Sequence, residues 1–234
     1  MAFTTDAEDN SYGHVGGPCP SIEFKLVDVP DLNYFHYDKP YPRGEICVRG
    51  STVIPGYYKN PEKTAEAIDE DGWLHSGDIG MMVEGNAMKI IDRKKNIFKL
   101  SQGEYIAPEN LERVYVNCPL VQQIFVHGES LQNHIVAIIV PDQEVVMHFA
   151  KENKLEGDNY DELYNCEPVR AAIEKQLDDI AKVYKLNGLE KVRNHFLLRK
   201  EPFTSDDVLT PTMKLQRHKA AKFFVSEIET LYKK

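Results

Sequence analysis

Apolar residues recur along the chain in two rhythms, and the change of rhythm falls near residue 92. Before it, Ile22 to Val29 and Glu45 to Arg49 alternate apolar with polar positions, or run apolar, between Pro and Gly breakers. That is the pattern of half-buried strands. Met88-Lys89-Ile90-Ile91 continues it, and the turn formers Glu84-Gly85-Asn86 between strand formers predict a hairpin. One helix is expected among these strands, Pro61 to Ile68, with Asn60 as its cap and Pro61 in the first turn, where a missing N–H costs nothing.

Beyond residue 92 the texture becomes alternating helix and strand. A proline again opens a helix, Pro108 to Tyr115, and strands are predicted at Gln123 to His127 and His134 to Val140. Asp142 then caps a helix carrying Val145, Val146 and Phe149. From Pro168 to Tyr184, Val169, Ala172, Ile173, Leu177, Ile180 and Tyr184 form one stripe at helical spacing. Phe196-Leu197-Leu198 reads as a third strand, and a final helix from about Arg217 is expected to bury Ala221, Phe224, Ile228 and Leu231. The reading is an α+β chain: a small β-rich subdomain over residues 1–91, then a compact α+β domain over 92–234, joined at about Asp92.

At 234 residues and 42% hydrophobic content the chain can bury one large core or two modest ones. Repeats and low-complexity tracts are absent. A net charge of −9 repels nucleic acid and anionic surfaces at long range, so a polyanionic ligand must meet a local basic patch. Two such patches exist, Arg93, Lys94, Lys95 and Lys99 in one, and Lys214, Arg217, Lys219 and Lys222 in the other. Cys19, Cys47, Cys118 and Cys166 lie too far apart in sequence for a chelating pair, and none of the eight histidines has metal-ligand spacing, so no metal site is expected. No apolar run approaches the roughly 20 residues that span a bilayer.

The densest chemical signal is Asp71-Gly72-Trp73-Leu74-His75-Ser76-Gly77-Asp78-Ile79-Gly80, followed by Ile91-Asp92-Arg93-Lys94-Lys95-Asn96-Ile97-Phe98-Lys99-Leu100. Glycines on either side of Asp78 predict a tight turn that aims its carboxylate away from its own chain. A carboxylate so held suits two hydroxyl donors, such as those of a ribose. Trp73 and Tyr57, beside glycine turns, are read as packing residues.

Residues 44–112 resemble the adenylate-forming ligases through a series of motifs in that family's order: Gly44-Glu45-Ile46-Cys47-Val48-Arg49-Gly50, Gly56-Tyr57-Tyr58, the Asp78 segment, Asp92-Arg93-Lys94-Lys95, and Gly103-Glu104-Tyr105-Ile106-Ala107-Pro108-Glu109. Lys99 to Ile106 and Phe125 to Ser130 are similar to eukaryotic-type long-chain fatty acid–CoA ligases, and the resemblance, to the C-terminal portion of such an enzyme, runs from about Gly13 onward. It implies ATP-dependent activation of a fatty acid as acyl-adenylate and transfer to CoA. It also implies roles: Asp78 on the ribose hydroxyls, Arg93 on the ribose or a phosphate, and Lys95 on the nucleotide or acyl carboxylate side. Leu209-Thr210-Pro211-Thr212-Met213-Lys214 resembles the family's last motif, which makes Lys214 the adenylation lysine, a compact charge on a long flexible stem. The commoner form of that motif has Gly where Met213 stands. Asp92 takes the family's hinge position, and Lys99, Ser101 and Gly103 its CoA, or pantetheine, loop.

Such an enzyme uses ATP, CoA and Mg2+, works at the cytoplasmic side, and in full length is associated with the endoplasmic reticulum, the mitochondrial outer membrane or another organelle. None of these ligands is expected to bind tightly to the chain itself. The family's Gly/Ser/Thr-rich phosphate loop does not occur in these residues, so fatty acid, ATP or AMP, and CoA would be held mainly by a domain absent from them. The chain alone is expected to be folded at least over 93–234 and catalytically silent, with subdomain surface exposed for self-association. The alternative is a noncatalytic nucleotide- or CoA-binding or protein-interaction module of the same fold.

Overall fold

In the computed structural model, which describes residues 2–233, alternation in the first hundred residues becomes a four-stranded antiparallel sheet. A two-stranded ribbon of β1 (Phe3–Thr4) and β2 (Gly17–Pro18) precedes it. The sheet contains β3 (Ile22–Val27), β4 (Arg43–Gly50), β5 (Leu74–Val83) and β6 (Ala87–Arg93), in that spatial order. Helix α1 (Pro61–Ala67) lies in the β4–β5 connection, and the Asn60 side chain accepts from the Lys63 amide at 3.0 Å as expected of its cap. Ile46, Val48 and Met88 are buried on one face with Phe24, Leu26, Leu74 and Met82 packed against them. The alternate residues of β4, Glu45 and Cys47, therefore lie on the other face.

The chain forms two compact units, Met1–Ile97 and Phe98–Lys234. The second begins with a short ribbon, β7 (Phe98–Lys99) and β8 (Tyr105–Ile106), followed by α2 (Pro108–Tyr115), β9 (Val121–His127), β10 (Val136–Pro141), α3 (Gln143–Glu152), α4 (Tyr160–Leu163), α5 (Glu167–Val183), β11 (Phe196–Leu198), α6 (Arg217–Phe223) and α7 (Val225–Tyr232). Its sheet has the order β11-β10-β9, with β10 antiparallel to β9 and parallel to β11. Every residue of β10 is buried, because the sheet is covered on both faces. Ala137 and Ile139 join the core built on α2, α3 and α5, while Val136, Ile138 and Val140 join a second core with Phe224, Ile228 and Leu231. The Asp142 side chain caps α3 by accepting from the Val145 amide at 3.0 Å, a contact of about 1 kcal/mol.

Two expectations at helix level are corrected. The stripe on α5 closes with buried Ala181, whereas Tyr184, at the cap, is 50% exposed. The last helix is broken at Phe224, whose backbone (φ −100°, ψ 22°) leaves the helical region and turns α7 on a new line. The buried alanine of α6 is accordingly Ala220 rather than Ala221.

A buried ion pair ties α6 to α2. Arg217 pairs with Glu112, both side chains being 13% exposed. Around this pair, the Val126 amide of β9 donates to Glu112 at 2.8 Å and Arg217 donates to the Val126 carbonyl at 3.0 Å. Burial pushes the Glu112 carboxyl up to about 7, against the pull of Arg217 and the Val126 amide. The folded protein thus holds this proton more tightly than the unfolded chain, where the group titrates at its ordinary 4.5. Its contribution to stability is full below 4.5 and is lost as pH rises through about 7. Denaturant titrations across this range should show native stability falling with pH more steeply than that of Glu112→Gln; identical slopes would contradict the assignment.

Candidate functional site

In the first unit the site residues follow from the register of β5 between β4 and β6. Asp78 stands opposite Arg93, and the Arg93 Nε lies 3.1 Å from an Asp78 carboxylate oxygen. Asp78 is 31% and Arg93 65% exposed at the side chain, so the pair faces solvent. The expected tight turn is instead a bulged strand: pairing slips between Glu45 and Cys47 on one side and between Ile79 and Gly80 on the other. Gly77, at φ +72°, makes the bulge, and its carbonyl accepts from the Lys94 amide at 2.8 Å. Gly80 serves a different purpose. A Cβ there would stand 2.5 Å from the Met88 sulfur and 2.7 Å from Ile46 Cδ1, so the position is needed for close packing.

Behind this pair sits a residue that motif reading left without a role. Glu45 is 5% exposed; one carboxylate oxygen accepts from the Gly77 amide at 3.2 Å and the other lies 3.0 Å from the Lys94 ammonium. Burial pushes its carboxyl up, and Lys94 and His75 outweigh that, holding it below its ordinary value. Glu45 therefore clamps the residue before Asp78 to the residue after Arg93. Its proximity in sequence to Cys47 and the Gly-x-x-x-x-x-Gly bracket of Gly44 and Gly50 gave no hint of this, because the partners lie 32 and 49 residues away.

Asp92 is 1% exposed and paired with Ile79 inside β6, and its carboxylate accepts from the Arg93 amide at 2.6 Å. Lys95 is exposed in the turn that follows. Trp73 has Lys25 at 4.3 Å and Arg49 at 4.5 Å from its ring, so it is a platform for cations rather than a core residue, and Tyr57 is 40% exposed.

In the second unit, Lys99, Ser101 and Gly103 share one loop. Leu100 and Ile106 anchor it at 1% and 0% exposure, and the Ser101 amide donates to the Gln132 carbonyl at 3.0 Å. Gly103, at φ +89°, turns the chain so that its amide reaches the Leu100 carbonyl at 2.9 Å. Lys99 lies with its ammonium 5.0 Å from the Tyr105 ring. Lys214 is exposed on a separate loop closed by the Thr210 amide to the Lys214 carbonyl, 2.7 Å, and by the Lys214 amide to the Thr210 hydroxyl, 3.0 Å. Met213 is left-handed there (φ +60°), the conformation that glycine adopts at no steric cost. Arg217, buried against Glu112, fixes the base of the same segment.

Residues 1–58 match the family of AMP-binding enzymes. The adenylation domain of a carboxylic acid reductase from Segniliparus rugosus, solved with AMP and a co-purified carboxylic acid, superposes with a TM-score of 0.79 at 38% identity, over 92% of this chain and 32% of that one. The chain thus carries the fold of the adenylate-forming, AMP-binding superfamily. Within that class it is homologous to long-chain acyl-CoA synthetases. It is 48% identical over 97% of its length to the peroxisomal long chain acyl-CoA synthetase 6 of Arabidopsis thaliana, and 47% identical over 96% to the human long-chain-fatty-acid–CoA ligase 1. It spans 32% of the length of each.

Gly80→Ala should destabilise the first unit by about 1–3 kcal/mol through overpacking. Thermal unfolding followed at Trp73, which lies in that unit, would measure it; an unchanged midpoint would contradict the tight approach of β4, β5 and β6.

Proposed function

We propose that these residues are the C-terminal portion of an ATP-dependent long-chain fatty acid–CoA ligase. The observation that carries the reading is that 97% of this chain aligns at 48% identity with a long-chain acyl-CoA synthetase, of which it spans 32%. The exposed Asp78–Arg93 pair and the looped Lys214 supply groups suited to the chemistry. In the first half-reaction a fatty acid carboxylate oxygen attacks the α-phosphorus of ATP, supplied as its Mg2+ complex, and the bond to pyrophosphate breaks. In the second, the CoA sulfur attacks the acyl carbon and AMP leaves. Both transition states gather negative charge on phosphate oxygens, so fixed cations lower the barrier.

Asp78 accepts the ribose hydroxyls, with Arg93 on the ribose or phosphate and Lys95 on the nucleotide side. Lys214 bridges the acyl carboxylate and the α-phosphate in the first step and is withdrawn in the second. Asp92 is the turning point, where a change of backbone torsion re-orients the C-terminal domain between the two half-reactions. Lys99, Ser101 and Gly103 then meet the pantetheine arm. Long acyl chains partition into bilayers, which favours a cytoplasmic, organelle-associated setting for the whole enzyme; among the described residues no helix is long and apolar enough to cross a membrane.

In the enzyme that contains this chain, Lys214→Ala should slow acyl-adenylate formation, read as pyrophosphate release, by about 100-fold or more. Thioester formation from supplied acyl-adenylate should stay near native. Equal loss in both steps would contradict the role. The 234-residue chain alone should make no acyl-CoA. Micromolar binding of AMP or CoA by the chain, with an inactive complete protein, would favour a noncatalytic binding module instead.

A further inference from the structure

On the face of the first sheet opposite its apolar core, β4 and β5 bring three different donors to one point. Cys47 and His75 are direct cross-strand partners, and the Cys47 sulfur lies 3.3 Å from His75 Nδ1. The same Nδ1 lies 3.5 Å from a Glu45 carboxylate oxygen. All three donor atoms fall within 4.8 Å of one another. Ligands at about 2.0–2.3 Å from a tetrahedral ion stand roughly 3.3–3.6 Å apart, so the two distances to Nδ1 are already those of tetrahedron edges.

The imidazole is also held from behind. His75 Nε2 lies 3.4 Å from the Asp69 carboxylate, which is itself fixed by the Trp73 amide at 2.8 Å and the Asp71 amide at 3.1 Å. A proton on Nε2, donated to Asp69, leaves the Nδ1 lone pair aimed at Cys47 and Glu45. This carboxylate–histidine arrangement is the one that orients histidines toward metals. Lys94 satisfies Glu45 from one side at 3.0 Å, and a carboxylate oxygen with two lone pairs can keep that contact while binding an ion.

We propose that Glu45, Cys47 and His75 form a binding site for a zinc-class divalent cation, with Asp69 orienting His75 and water completing the tetrahedron. The mixed sulfur, nitrogen and oxygen set suits a borderline-soft ion and not Mg2+ or Ca2+, which take oxygen ligands. Cys47 is 0% and Glu45 5% exposed, whereas the His75 side chain is 31% exposed and gives the ion its way in. A metal-bound cysteine is a thiolate, so the ion displaces the Cys47 proton to solvent on binding. The site is independent of the acyl-CoA ligase reading, and its occupancy is measured without activity.

The test is competition of the chain with a chromogenic chelator for Zn2+, together with the thiolate-to-metal charge-transfer band of the Co2+ form. One equivalent of Zn2+ and a Co2+–thiolate band are expected. Cys47→Ser should remove the band, and His75→Ala should weaken Zn2+ binding by about 100-fold or more. Asp69→Asn should weaken it by about 10–100-fold. A chain with Cys19, Cys118 and Cys166 all changed to Ser should keep both signals. Absence of the band from the unsubstituted chain, or its survival in Cys47→Ser, would overturn the proposal.

Discussion

The Glu45 carboxylate is the contact on which the geometry of the first unit depends. It is buried and ionised, which is tolerable because it accepts the Gly77 amide with one oxygen and faces the Lys94 ammonium with the other. Those two contacts hold the bulge before Asp78 and the turn after Arg93 to the same strand, β4. Removing either partner would leave a buried charge short of compensation, so the register that sets Asp78 opposite Arg93 is strongly specified. The same carboxylate also stands over Cys47 and His75, so one residue organises both the proposed nucleotide face and the proposed cation site.

In the second unit the corresponding constraint is Glu112 with Arg217 around the Val126 peptide. Lys214 lies three positions before Arg217, on a loop whose closure rests on Thr210 and on the left-handed Met213. In the proposed role, a lysine that is delivered and withdrawn has to be exposed and yet leave from a fixed base. The buried pair supplies the base, and the exposed loop leaves the side chain its reach. Glycine in the commoner form of this motif has a backbone reason, since the conformation at Met213 costs an L-residue about 1–2 kcal/mol.

Strand and helix positions were legible because they rest on local periodicity: the all-buried β10 reads as an unbroken apolar run, and Asn60 and Asp142 read as caps from their own neighbours. The break at Phe224 was not, because apolar spacing continues through it and the turn is imposed by packing against the second core. Asp78, Arg93 and Lys214 could be singled out by motif, yet the bulge that places Asp78 could not. It arises from pairing with strands on either side. Glu45, Cys47 and His75 were invisible for the same reason: spacing rules for metal ligands look along the chain, and here the donors meet across strands 28 to 30 residues apart.

The most direct test is a structure of the complete protein that contains this chain, with a nonhydrolysable acyl-adenylate analogue bound. The account predicts both ribose hydroxyls within about 3 Å of the Asp78 carboxylate, with Arg93 beside them and Glu45 still on the Gly77 amide. A ribose bound elsewhere, with Asp78 touching protein groups alone, would contradict it.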